Sequence, residues 1–146
     1  MPNRLRILVA EDEETDVFFL RHALSRAGLP HELVVAQDGQ EAIDYLSGQA
    51  PYTDRARHPL PALLLLDLKM PRMTGFDVLA WLRRRPEFKQ LPAVVLTSSP
   101  DEADRRRAEQ LGAAQYLVKP QNVQDLLKLV QDLQAKWLAA STKGSV

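Results

Sequence analysis

Five short apolar runs punctuate this chain, and each is followed by a stretch whose apolar residues recur at helical spacing. Leu5–Ala10, Glu32–Ala36, Ala62–Leu66, Ala93–Thr97 and Gln115–Val118 read as strands. Glu13–Ala27 reads as a helix with Val17, Leu20 and Leu24 at i, i+3 and i+7, and Gly28 stops it. Asp38-Gly39 is a turn before a short helix, Glu41–Leu46. Thr74–Arg84 carries Phe76, Leu79 and Leu82, and Asp101–Leu111 has little apolar content before Gly112. Asn122–Ala139 is a long helix with Asn122 as its N-cap. Strand and helix alternate five times, which predicts a parallel sheet with helices on both faces. The run Leu63-Leu64-Leu65-Leu66 has no polar alternation, so its strand is buried on both sides.

Composition narrows the class. The 146 residues suggest one domain spanning 1–146, with a core of about 5–139, a loop at 48–61 and a polar, frayed tail at 141–146. Lys plus Arg number 19 and Asp plus Glu number 19, so no bulk charge draws the chain to nucleic acid or to an anionic membrane. The triplets Arg83-Arg84-Arg85 and Arg105-Arg106-Arg107 stand among acids and read as solvated helix faces. Cysteine is absent, which removes disulfide and thiolate chemistry. No apolar run reaches the ~18 residues of a membrane span. The expected location is the cytoplasm. His22, His31 and His58 lack metal-ligand spacing.

The candidate chemistry lies where strands end. Asp67 closes the leucine run, and open α/β sheets place ligands outside the carboxyl ends of their strands. Glu11-Asp12, Thr97-Ser98 and Lys119 end three other strands. Three carboxylates at one edge oppose joint ionisation, and a divalent cation relieves the conflict. Mg²⁺ (or Mn²⁺) suits such oxygen ligands, with the Lys69 backbone carbonyl as a further donor. Lys119 adds a compact cation. This set fits phosphoryl transfer to a carboxylate: Asp67 is the nucleophile, while metal and Lys119 neutralise charge on the phosphoryl oxygens. The Thr97 hydroxyl and the Ser98 backbone N–H can then hydrogen-bond the phosphoryl group.

At this point the chain resembles the receiver domain of two-component response regulators. Four motifs match in order: Ile7-Leu8-Val9-Ala10-Glu11-Asp12; Leu66-Asp67-Leu68-Lys69-Met70-Pro71 with Gly75; Val95-Leu96-Thr97-Ser98; and Tyr116-Leu117-Val118-Lys119-Pro120. The resemblance spans about Leu5 to Trp137. It implies a flavodoxin-like (βα)5 doubly wound sheet with strand order 2-1-3-4-5. It implies Asp67 as phosphoacceptor for a histidine kinase, and Asp12 as the main metal carboxylate, helped by Glu11. It implies contact of Lys119 with the phosphoryl group, a cis Lys119-Pro120 bond, and Thr97 with Tyr116 as a switch pair. Such a domain catalyses its own phosphorylation and dephosphorylation without being a turnover enzyme. The 14-residue Gly48–Pro61 insert, the Trp137 tail and the lack of an output domain resemble the small regulators paired with phytochrome-type kinases.

Two surfaces are expected to meet partners. Phe18 lies about 100° round the first helix from Phe19, off the core stripe, where a histidine kinase can dock. The last helix carries two apolar stripes, Leu126, Leu129, Leu133 and Leu127, Val130, Trp137. The excess suggests a homodimer through the fourth helix, fifth strand and fifth helix. Other classes fit less well. An FMN-binding protein of the same topology would meet repelling acids at its first strand end. A phosphatase of the haloacid-dehalogenase type usually needs a second acid two residues after its nucleophile, and Lys69 stands there. A phosphorylation-independent adaptor has no need of an intact acidic site.

Overall fold

Leu63–Leu66 forms the central strand, β3, of a five-stranded parallel sheet in the computed structural model, which describes residues 5–28 and 31–138. The others are β1 (Leu5–Ala10), β2 (His31–Ala36), β4 (Ala93–Thr97) and β5 (Gln115–Val118), in the expected order β2-β1-β3-β4-β5. Alternation sends successive side chains to opposite faces. Leu63 and Leu65 pack with Ile7, Val9 and Val94 on one side, under α1 (Glu14–Ala27) and α5 (Val123–Leu133). Leu64 and Leu66 pack with Leu8, Ala10 and Val95 on the other, under α2 (Gly39–Ser47), α3 (Gly75–Arg83) and α4 (Glu102–Gln110). Every β3 leucine is buried, which is why the strand tolerates no polar alternation.

Caps set the helix ends and shift several of them from the sequence reading. Asp38 accepts from the Glu41 N–H at 2.8 Å, so α2 begins at Gly39 rather than at Glu41. Glu13 and Thr74 are N-cap residues rather than helical ones, and Thr74 forms a capping box with Asp77. Asn122 caps α5 as expected, accepting from the Asp125 N–H. That helix does not run on as one α-helix, since Gln134–Leu138 winds as a π-helix. Ala139 and the 141–146 tail lie outside the described residues. Its two apolar stripes also merge: Val130 and Leu133 are buried in one cluster, with Leu126, Leu129 and Trp137 packed against it. Most of the second stripe therefore docks on the sheet instead of forming a separate face.

The 48–61 insert is tied down. The Arg55 guanidinium donates to the carbonyls of Tyr45 at 2.8 Å, Leu46 at 2.6 Å and His58 at 3.0 Å. It thereby satisfies carbonyls at the end of α2 that lack helical partners. The rings of Tyr45, Tyr52 and His58 pack together, and the Tyr45 hydroxyl donates to the Pro59 carbonyl at 2.8 Å. Among the described residues the cis X–Pro bond is Ala50–Pro51, so Lys119–Pro120 departs from the cis expectation. The intrinsic X–Pro preference is small, and local context decides it.

The loop after β3 is packed from below. A Cβ on Gly75 would lie 2.3 Å from the Asp67 carbonyl oxygen, and Gly75 N–H donates to the Leu68 carbonyl at 3.0 Å. Gly75→Ala is therefore expected to cost about 2–3 kcal/mol through forced displacement of backbone. Gly28→Ala meets no neighbour within 4 Å and carries only the penalty of φ +83, about 1 kcal/mol. Urea midpoints of the two variants test this; a Gly75→Ala protein as stable as Gly28→Ala would refute it.

Candidate functional site

Strand register alone brings the polar strand ends together. Ala10 pairs with Leu66 across β1 and β3, so Glu11 and Asp67 emerge side by side, and the Asp67 N–H donates to the Ala10 carbonyl at 3.0 Å. Thr97 pairs with Val118 across β4 and β5, and the Lys119 N–H donates to the Thr97 carbonyl at 2.7 Å. One edge of the sheet therefore carries Glu11, Asp67, Thr97 and Lys119 in adjacent positions.

Carboxylate oxygens of Glu11, Asp12 and Asp67 all lie within 4.8 Å of one another. Glu11 and Asp67 are buried, whereas Asp12 is exposed. Lys119 Nζ sits 2.6 Å from Glu11 and 3.4 Å from Asp67. It also sits 2.7 Å from Asp16, a residue the sequence reading passed over. Asp16 stands in the first turn of α1, four residues after Asp12, and that spacing was the available signal. The second Asp67 oxygen accepts from the Leu68 N–H at 2.7 Å, which fixes the carboxylate plane.

Electrostatics follow from this crowding. Burial, reinforced by the Asp67 charge, pushes the Glu11 carboxyl up to about 7, against the pull of Lys119 and of the Glu13 N–H. Burial pulls the Lys119 ammonium down, but Asp16, Glu11 and Asp67 together outweigh it and hold the group above the ordinary lysine range. Lysine thus stays charged, while one of its acids is left short of compensation. A hard divalent cation answers that shortage: the donors are all oxygen, two are buried, and their separation suits a shared ion.

Thr97 is fully buried and its Oγ1 accepts from the Ser99 N–H at 3.4 Å. Ser98 is exposed. Among the described contacts neither bonds Asp67. Tyr116 is buried with its ring inward; its hydroxyl donates to the Ser99 carbonyl at 2.8 Å, and Arg105 covers the ring at 4.7 Å. Phe18 is 66% exposed and meets Phe19 edge-on at 5.4 Å. Beside Lys119 a cavity of about 130 Å³ opens between α1 and α5, lined by Phe19, Leu20, Val123 and Leu126. The arginine triplets cover rings: Arg85 lies over Trp81, Arg105 over Tyr116 and Arg107 over Phe76.

Comparison with known proteins agrees with this geometry. The family described as "Response regulator receiver domain" matches residues 7–131. Response regulator Rcp1 of Synechocystis sp. is 37% identical over 136 residues, 93% of this chain and 90% of that protein. The crystal structure of the phosphorylated cyanobacterial phytochrome response regulator RcpA superposes with a TM-score of 0.87 at 33% identity, covering 94% of this chain and 96% of that one. The Mn²⁺-bound form of Rcp1 gives a TM-score of 0.81 at 36% identity, covering 92% and 94%.

The raised Glu11 predicts a pH-dependent cation site. Binding needs the ionised carboxylate, so protons compete below about 7. Mn²⁺ affinity, measured by calorimetry, should rise from pH 6 to pH 8, approaching about tenfold per unit at the acid end. Glu11→Gln should bind more weakly at pH 8 and flatten the profile. A wild-type affinity that ignores pH over this range would contradict the assignment.

Proposed function

The chain belongs to the response regulator receiver family, whose general function is to accept a phosphoryl group on an aspartate, and we propose that in this protein the acceptor is Asp67. The observation that carries the assignment is the buried Asp67 carboxylate, held between Lys119 and the acids Glu11 and Asp12. Receiver domains are signalling proteins; this one is read as a phosphoacceptor switch that also promotes its own phosphorylation and hydrolysis.

The donor is the phosphohistidine of a histidine kinase. An Asp67 carboxylate oxygen attacks phosphorus in line; the new O–P bond forms as the N–P bond to imidazole breaks. A carboxylate nucleophile has no proton to lose in the attack, so no general base is needed. Mg²⁺ held by Glu11, Asp12, Asp67 and the Lys69 carbonyl would supply positive charge against the phosphoryl oxygens. Lys119 offers its ammonium to the same oxygens. Thr97 donates its hydroxyl and Ser98 its backbone N–H to the phosphoryl group once it sits on Asp67.

The signal then leaves through Thr97, Tyr116 and α4. Support comes from the hydrogen bonds that link Thr97 to Ser99 and Ser99 to Tyr116. The kinase is proposed to contact α1 around the exposed Phe18, beside the cavity next to Lys119. A phytochrome-type kinase is favoured because RcpA is a phytochrome response regulator. A homodimer through α4, β5 and α5 is proposed on the exposed Val118, which gives that face an apolar component.

Phosphotransfer from an autophosphorylated histidine kinase tests the core of this reading. Wild type should gain one acid-stable, alkali- and hydroxylamine-labile phosphoryl group in Mg²⁺, and none in EDTA. Asp67→Asn should gain none while remaining folded, and Lys119→Met should be labelled at least tenfold more slowly, the loss of about 1.4 kcal/mol of transition-state stabilisation. Labelling that persists in Asp67→Asn would place the acceptor elsewhere.

A further inference from the structure

The Lys119 ammonium serves three carboxylates, and it does not sit midway among them. Its Nζ lies 2.6 Å from Glu11 and 2.7 Å from Asp16, but 3.4 Å from Asp67. An ammonium has three N–H donors, so three acceptors saturate it. A newly arrived phosphoryl oxygen must therefore displace one of them.

Asp16 differs from the other two. It stands on a helix rather than at a strand end, and it lies outside the carboxylate cluster of Glu11, Asp12 and Asp67. Positive charge placed in that cluster neutralises Glu11 and Asp67 but leaves Asp16 as an uncommitted anion. The Asp16 side chain is 41% exposed, against 5% for Glu11 and 8% for Asp67, so water can take it over when the lysine leaves. It also occupies the first turn of α1, where the helix dipole favours a negative charge without any lysine.

We propose that Asp16 is a positioning residue: it draws the Lys119 ammonium toward α1 and away from Asp67, and competes with the phosphoryl oxygens for it. The proposal rests on Asp67 being the phosphoryl acceptor. Asp16 thereby opposes occupancy of the acceptor site, and removing its charge favours the loaded state. Glu14 separates this role from a simple preference for acids at the helix start. It shares the first turn of α1, is exposed, and has no ion pair with Lys119 among the described residues.

Beryllofluoride stands in for the phosphoryl group on an aspartate, and ¹⁹F NMR reads its bound fraction on the full chain at Mg²⁺ saturation, verified for each variant. Asp16→Asn is expected to halve-saturate at a beryllofluoride concentration roughly fivefold below wild type, the scale of one partly exposed ion pair. Asp16→Glu should stay near wild type. Glu14→Gln should bind as wild type does, even where it shifts the thermal midpoint as much as Asp16→Asn. If Asp16→Asn fails to fold, Asp16→Ser carries the same comparison. Binding by the charge-free variant that equals wild type, or is weaker, overturns the proposal. A wild type that takes up no beryllofluoride overturns the Asp67 assignment instead.

Discussion

Charge crowding at one sheet edge is the constraint around which this molecule is arranged. Glu11, Asp16 and Asp67 share a single ammonium, that of Lys119, and Asp12 crowds the same edge without pairing to it. Two of these acids are buried, and a buried unpaired carboxylate is costly. Parallel strands make the crowding unavoidable, because their carboxyl ends all open on one side. The register of β1 with β3, and of β4 with β5, then delivers each charged residue one step beyond the last paired position. The fold tolerates this local conflict because a divalent cation at the edge would resolve it. The same imbalance that weakens the edge in isolation is what makes it bind.

Support for the edge comes from beneath it, and much of that support is polar. Asp38 caps α2 and also takes the Arg72 guanidinium, whose Nε lies 2.8 Å away. Arg72 sits at φ 64 in the loop that follows Asp67, so this contact holds a left-handed turn in place. Gly39 and Gly75 let α2 and α3 approach that loop at distances that a Cβ would forbid. At the far end of α2, Arg55 from the insert closes the helix carbonyls. The insert therefore stabilises the helix whose start braces the loop after Asp67, and its influence on the site passes through α2.

Much of this was legible in the chain because it depends on period and position. Uninterrupted Leu63–Leu66 could only be a doubly covered strand, and a doubly covered strand implies helices on both sides. Strand-end acids, Thr97 and Lys119 followed from the same rule, since each is the first polar residue after its run. What escaped depends on contacts between distant segments. Asp16 reads as an ordinary helix-start acid until α1 and β5 are packed, which brings it to Lys119 across 103 positions. The role of Arg55 required the insert to fold back over ten residues to Tyr45. The second stripe of α5 looked spare because its burial depends on helix rotation, and Val130 shows that the rotation places it inward. Helix starts moved wherever a cap, rather than apolar period, set the boundary, as at Asp38.

The way α4 is held explains how a charge at Asp67 can be felt on the opposite side of β4. Ala108 is its one buried residue, so little apolar area fixes the helix to the sheet. Polar and aromatic tethers do most of the holding. Asp104 accepts from the Ser99 hydroxyl at 2.7 Å, Arg105 covers Tyr116, and Arg107 covers Phe76 at 4.1 Å. Each exposed cation–π contact is worth about 0.5–1 kcal/mol, less than the ~1.5–3 kcal/mol of one buried Leu or Val. Two of the three tethers end on Ser99 or Tyr116, within the segment that leads back to Thr97. On the proposed reading, a phosphoryl group on Asp67 replaces one negative charge with about two. A small shift of the Thr97 hydroxyl in response would change the partner of Ser99, and Ser99 holds both Asp104 and Tyr116. The weak apolar seat of α4 is therefore what lets a few hydrogen bonds decide its position.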